Sequence, residues 1–255
     1  IRTKLNSAMR IKAPVLTGPF FCVPSESTIS HVENEIETGI NLFGWCTAKI
    51  EDLPRWNNDY INDSGEYKSD EHWSHAAKVL PASVDIKQIW ELSRFQWLVQ
   101  FAKQAQSGNP ELVDKMNDWL SDWCEAAPPY RGLNWCCGQE ASIRVLHMAL
   151  AAVLVGQHDK PTRELLNLVE THLKRISPTL QYAVAQQNNH GVSEAAALYI
   201  GGSWLQQNGS VKAAKWTDVG YRYLNKLAEE QISEDGSWSQ YSTNYHRAVL
   251  DIYSF

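Results

Sequence analysis

Four short stretches of this sequence carry side chains of the kind that move protons or hold charge. In Asn188-Asn189-His190 with Glu194, an amide, an imidazole and a carboxylate fall close together, and His190 and Glu194 are spaced i,i+4 on one helix face. Asp235-Gly236-Ser237 through Ser242 to Tyr245-His246-Arg247 sets two phenols (Tyr241 and Tyr245), an imidazole and a guanidinium behind a turn. A Tyr carries a proton in catalysis only if its pKa falls from ~10, which a nearby cation can bring about. Gly132-Leu133-Asn134-Trp135 leads to Glu140 and Arg144, also i,i+4, with His147 on nearly the same face. Trp90-Glu91-Leu92-Ser93-Arg94-Phe95-Gln96-Trp97 holds Glu91 and Arg94 at i,i+3 between indoles. Each stretch also has a plainer explanation. Asn before a helix is a good N-cap. Glu140 and Arg144 make an ordinary helix pair. Residues 235–247 read as a turn and a capped amphipathic helix. Trp around an ion pair is often core packing.

The elements that must position these groups are mostly helical. Ile89, Trp90, Phe95, Leu98 and Val99 recur at helical spacing, as do Leu112, Val113, Met116, Trp119, Leu120 and Trp123 behind Pro110. Pro128-Pro129 and Gly132 interrupt. A helix is expected from about Gly138 to Val155, stopped by Gly156, and Pro161 opens another through Leu165, Val169, Leu173 and Ile176. The polar run Gln186 to His190 precedes an apolar helix expected to end at Gly201-Gly202. A further helix covers about Ala213 to Ile232, Asp235-Gly236 turns, and the last segment is helical. Strand alternation is absent after residue 85, and Asn41 to Trp45 reads equally as strand or loop. The expectation is an all-α fold of roughly seven helices in stacked hairpins over residues 85–255, with residues 1–84 an irregular segment packed on it.

Composition narrows the function classes. With 44% hydrophobic and 20% charged residues the chain is ordinary globular protein. The net charge of −6, with no basic stripe, argues against nucleic-acid binding. Met148 to Gly156 is the longest apolar stretch and is too short to span a membrane. The five Cys match no zinc spacing, and their odd number argues against a complete disulfide framework. No metal or cofactor is expected. The 11 Trp suit both core packing and stacking on sugar rings. The sequence starts without an initiator Met or a leader-like apolar block, and it stops inside a helical pattern, so a fragment or minimal domain is expected.

In order and approximate spacing, including the 56 residues from Asn189 to Tyr245, the four stretches resemble the N-terminal helical domain of heparinase II/III-like polysaccharide lyases. Weaker similarity reaches Asn41 to Trp56 and Asn58-Asp59. The resemblance implies an incomplete α/α toroid that holds an anionic polysaccharide and cleaves uronate-containing chains by β-elimination. It implies that Asn189 and His190 bind and neutralise the uronate carboxylate and that Tyr245 is general acid or acid/base. It implies glycan contacts or scaffold roles for Arg94, Trp97, Asn134, Trp135, Glu140, Arg144, Asn188, Glu194 and His246, with Glu194 either orienting His190 or structural. Relatives usually continue into a C-terminal β-sandwich domain and are periplasmic or secreted.

Two other classes compete. An inverting glycoside hydrolase on a similar barrel needs two carboxyl groups ~6.5–9.5 Å apart, with Glu140, Glu194 and Asp235 as candidates. A non-catalytic glycan-binding domain keeps the cleft without turnover. Loss of activity in Glu or Asp variants with Tyr245→Phe tolerated marks the hydrolase; the reverse marks the lyase.

Overall fold

The computed structural model describes residues 11–23, 39–50 and 52–255. Among these residues ten α-helices accompany one two-stranded hairpin, so the fold is all-α. The hairpin, β1 (Ile40–Leu42) and β2 (Cys46–Ala48), pairs antiparallel with Asn41 opposite Thr47. Phe43 and Gly44 both take positive φ in its three-residue tip, where the Trp45 N–H bonds the Leu42 carbonyl at 3.2 Å.

Three helices are single or double turns: α1 (Trp73–Ala76), α2 (Ile86–Trp90) and, later in the chain, α7 (Leu180–Ala185). The other seven are long: α3 (Gln96–Gln106), α4 (Leu112–Ala126), α5 (Gly138–Leu154), α6 (Arg163–Ile176), α8 (Asn189–Gln207), α9 (Ala214–Gln231) and α10 (Thr243–Ser254). Their ends follow local chemistry. Thr162 Oγ1 accepts the Leu165 N–H at 3.2 Å to open α6 behind Pro161. Gly156, at φ +70°, stops α5 with the left-handed residue that lets a helix end.

Two expectations need correction. The helical spacing across Ile89 to Val99 is broken: α2 ends at Trp90, a 3-10 turn covers Leu92–Arg94, and Phe95 sits at φ +66° before α3. A bulky residue with positive φ is costly. Here it is held by burial of the Phe95 ring against Trp97 and Trp123. The second concerns Gly201-Gly202, which does not end α8. These glycines let neighbours approach. A Cβ on Gly201 would stand 3.0 Å from Val145 Cγ1, and one on Gly202 would stand 2.8 Å from the Thr217 backbone nitrogen. Gly220 on α9 is tighter still, 2.4 Å from the Tyr199 nitrogen, so α8 and α9 lie nearly backbone to backbone.

Short loops make hairpins of α3/α4, α5/α6 and α8/α9. Helices α3, α5, α8 and α10 pack in succession as one row, and α4, α6 and α9 back them. That is an open arc of helical hairpins, an incomplete α/α toroid. The chain before residue 85 shares its core. Phe20, Phe21, Ile40, Leu42, Trp56 and Trp73 join the main cluster, and Asn117 on α4 accepts the Phe20 and Phe21 N–H groups at 2.8 Å. Most Trp side chains are core: Trp56, Trp97, Trp119, Trp123 and Trp135 are fully buried, in tilted and edge-to-face contacts 5.1–6.0 Å apart. Trp45, at the hairpin tip, is 72% exposed.

Candidate active site

Construction of the site starts from two arginines with opposite fates. Arg144 is wholly buried and makes no ion pair with Glu140. Its Nε–H donates to His172 Nε2 at 2.9 Å and its Nη2 to the Asn134 carbonyl at 2.8 Å. The rings of Phe95, Trp123 and Trp135 surround the guanidinium at 5.1–5.9 Å. Because arginine can only donate, His172 Nε2 must accept, and its Nδ1–H donates to the Leu168 carbonyl at 2.8 Å. Burial and the Arg144 charge keep His172 well below its usual pKa, consistent with that neutral tautomer. Trp97, Asn134 and Trp135 are equally buried, with indole N–H groups bonded to the Leu92 and Ala127 carbonyls. Of the two roles expected for Arg144, Trp97, Asn134 and Trp135, glycan contact or scaffold, their burial fits scaffold: they tie α3, α5 and α6 to the 133–135 turn and present no surface.

Arg94, which closes the Leu92–Arg94 turn, stays partly exposed. Its fork grips Glu140 through Nε (2.8 Å) and Nη2 (2.9 Å), and Nη1 donates to Glu91 Oε2. Glu91 Oε1 accepts the Phe43 N–H at 2.7 Å, which anchors the hairpin tip beside Arg94. The Arg94 carbonyl meets His147 Nδ1 at 2.6 Å. Burial works against the Arg94 charge, but the Glu140 hydrogen bonds and the charges of Glu140 and Glu91 outweigh it and raise its pKa. The Arg94 cation thereby faces Glu140 in the first turn of α5.

The Asn188–Glu194 stretch opens α8. Asn188 caps it, its Oδ1 accepting the His190 N–H at 3.0 Å. The next free donor, the Asn189 N–H, bonds Gln240 Oε1 at 2.9 Å, so the 232–242 loop seals the same helix end. The His190 ring is half-buried, with Nδ1 4.0 Å from Cys137 Sγ at the start of α5. Burial lowers the His190 pKa, and the Glu140 charge only partly restores it, so the ring is neutral near pH 7. Burial also raises the Cys137 pKa, which keeps it a thiol.

Glu194 makes no hydrogen bond to His190. It is buried over Gly138, where an added Cβ would fall 2.3 Å from Glu194 Oε1, and its Oε2 has no hydrogen-bond partner among the described residues. Burial pushes its pKa up to about 8, against the opposing pull of Arg175.

Tyr245 lies in the first turn of α10, which Ser242 caps. It is 44% exposed, and His246 beside it is half-buried. Val249 of α10 packs with Val192 of α8, Leu227 of α9 and Trp238, so the first turns of α8 and α10 belong to one end of the arc. The Glu140 charge reaches the His190 ring, so the Arg94–Glu140 clamp neighbours the first turn of α8, where Asn188 caps the helix and Asn189 is mostly buried; α10, which carries Tyr245 and His246, packs against α8, and Glu194 is buried. Sequence reasoning missed Cys137, Arg175 and Gln240 as neighbours. Gln240 lay inside a stretch already singled out; the other two carry no local signal. Among the described residues no group of three His, Cys, Asp or Glu side chains is placed to hold a metal, and no helix is long and apolar enough to cross a membrane.

No curated protein and no solved structure matches the chain significantly. A family model, Heparinase II/III N-terminus, matches residues 48–254, a span that takes in the Arg94–Glu140 clamp and the first turns of α8 and α10. The chain therefore belongs to the heparinase II/III N-terminal domain family.

Proposed function

We propose that this domain binds a uronate-bearing polysaccharide and supplies the helical half of a β-elimination site. The observation that supports the reading is the first turn of α8, where a half-buried, neutral His190 lies within reach of the Glu140 charge, next in sequence to the mostly buried Asn189, with α10 packed alongside. Elimination breaks the C5–H bond, places its electron pair in a new C4=C5 bond and expels the C4 glycosidic oxygen. The C5 proton lies α to the carboxylate and becomes removable only if the developing enolate charge is stabilised. The Asn189 amide and the His190 imidazole N–H are donors for that charge, assisted by the positive end of the α8 dipole. The Arg94 clamp satisfies Glu140, so this carboxylate does not repel the substrate unscreened. Tyr245 would take the C5 proton, return one to the leaving oxygen, or do both. The β-sandwich domain that the resemblance implies would complete the cleft.

The hydrolase reading lacks support, since Glu140 is clamped by Arg94, Glu194 is sealed from solvent and Asp235 sits on an exposed turn. The test is an ultraviolet assay on a panel of uronate polysaccharides, because the C4=C5 bond conjugated to the carboxylate absorbs and a hydrolysis product does not. An absorbance rise lost in His190→Ala and Tyr245→Phe supports the lyase. New reducing ends without absorbance refute it, and saturable binding without either product marks a binding module.

A further inference from the structure

The first half of α9 carries a surface that the elimination chemistry leaves unused. Lys215, Trp216, Val219, Arg222 and Tyr223 fall at i, i+1, i+4, i+7 and i+8, one face of the helix. Together with the turn from α6 into α7 they line a cavity of about 350 Å³, near the lower end of the ~300–1,000 Å³ typical of ligand pockets. Its place in the fold separates it from the α8 cluster. The 232–242 loop meets α9 at its far end, where the Ser239 N–H bonds the Gln231 carbonyl at 2.9 Å. From Val219 to Gln231 the helix runs ~18 Å.

The lining has one sign of charge. Among the described residues no carboxylate borders the cavity and neither Lys215 nor Arg222 is ion-paired, although the whole chain carries a net charge of −6. Asp218, three residues from Lys215, makes no ion pair with it. Trp216 and Tyr223 are half-buried, each with its body against the core and an edge left at the cavity. The Arg222 guanidinium stands 5.5 Å over the Tyr223 ring, which orders the cation without neutralising it. An aromatic wall suits the C–H face of a pyranose, and two free cations suit a carboxylate on its rim. The Gln181 side chain on the opposite wall suits ring hydroxyls.

We propose that this groove is a second, non-catalytic subsite that holds an acidic saccharide, a uronate-bearing stretch of the same polymer whose other part lies at α8. The proposal rests on the uronate reading above for the identity of the sugar. Holding one polymer at two points raises the effective concentration of substrate at the α8 end.

The test is calorimetry on the whole chain in an Asn189→Ala/His190→Ala background, which silences the α8 cluster. The probes are alginate and heparan-type oligosaccharides, neutral cellohexaose and inorganic phosphate. The exposed double variant Lys215→Glu/Arg222→Glu should weaken oligouronate binding by roughly tenfold or more. With the α8 residues intact, it should raise KM for polymer and leave short substrates unaffected. Equal binding by the double variant or by cellohexaose overturns the subsite, and so does binding of phosphate alone. Turnover of polymer with no groove-dependent binding overturns the subsite and spares the lyase reading. Groove-dependent binding by a chain without turnover does the converse.

Discussion

Glu194 gives the most quantitative prediction. The carboxyl is sealed over Gly138 with one oxygen unpartnered, and burial pushes its pKa from 4.5 up to about 8. In the unfolded chain it titrates near 4.5. Below that value both states hold the proton and folding is indifferent to it. Between pH 4.5 and pH 8 the unfolded state ionises while the folded state keeps its proton, so stability falls as pH rises and levels off above pH 8. From pH 4.5 to pH 7 the loss is about 3 kcal/mol at 1.36 kcal/mol per unit. For a chain of this size that corresponds to a fall in Tm of roughly 6–12 °C. Glu194→Gln keeps the shape and cannot ionise, so this component of the pH profile should vanish and the variant should be the more stable protein at pH 7. Thermal unfolding of both proteins from pH 4.5 to 8.5 measures it. Parallel pH profiles would refute the reasoning, because they would mean the carboxyl is ionised in the folded state and held by Arg175.

Arg94→Ala should strand Glu91 and Glu140 as buried, unpaired carboxylates and destabilise by about 3 kcal/mol or more, read by urea unfolding. Gly220→Ala drives a Cβ to within 2.4–2.6 Å of the α8 backbone, so it should cost at least ~1–3 kcal/mol. Gly236→Ala, in an open turn at φ +81°, should cost only the ~1–2 kcal/mol of its backbone conformation, and paired Tm measurements separate the two. Gln240→Ala removes the acceptor for the Asn189 N–H at a solvent-reachable helix end. It should cost about 1 kcal/mol of stability yet lower kcat more than KM, if the α8 first turn is where elimination occurs.

What the sequence determined by itself was local. Seven long helices were legible because their apolar residues repeat at the helical period and Pro161, Gly156 and Asp235-Gly236 punctuate them. The first turn of α8 was legible because an Asn cap acts within a few residues. The short helices α1, α2 and α7 were not, since four to six residues carry too little periodicity to register. Local pattern also misled. The i,i+4 spacing of Glu140 and Arg144 promised an ion pair, but Arg94, 46 residues earlier, claims Glu140, and Arg144 turns inward to His172. Gly201-Gly202 resembled a helix stop and became a contact surface, because only the neighbouring backbone of α9 reveals why a side chain cannot fit. His190 and Glu194 share a face as their spacing requires. The fold buries one against Gly138 and leaves the other half-open beside Cys137, since depth in the core is set by which helix packs where. Spacing along the chain fixes which residues share a face; only the packing of α5, α8 and α10 decides which faces meet solvent.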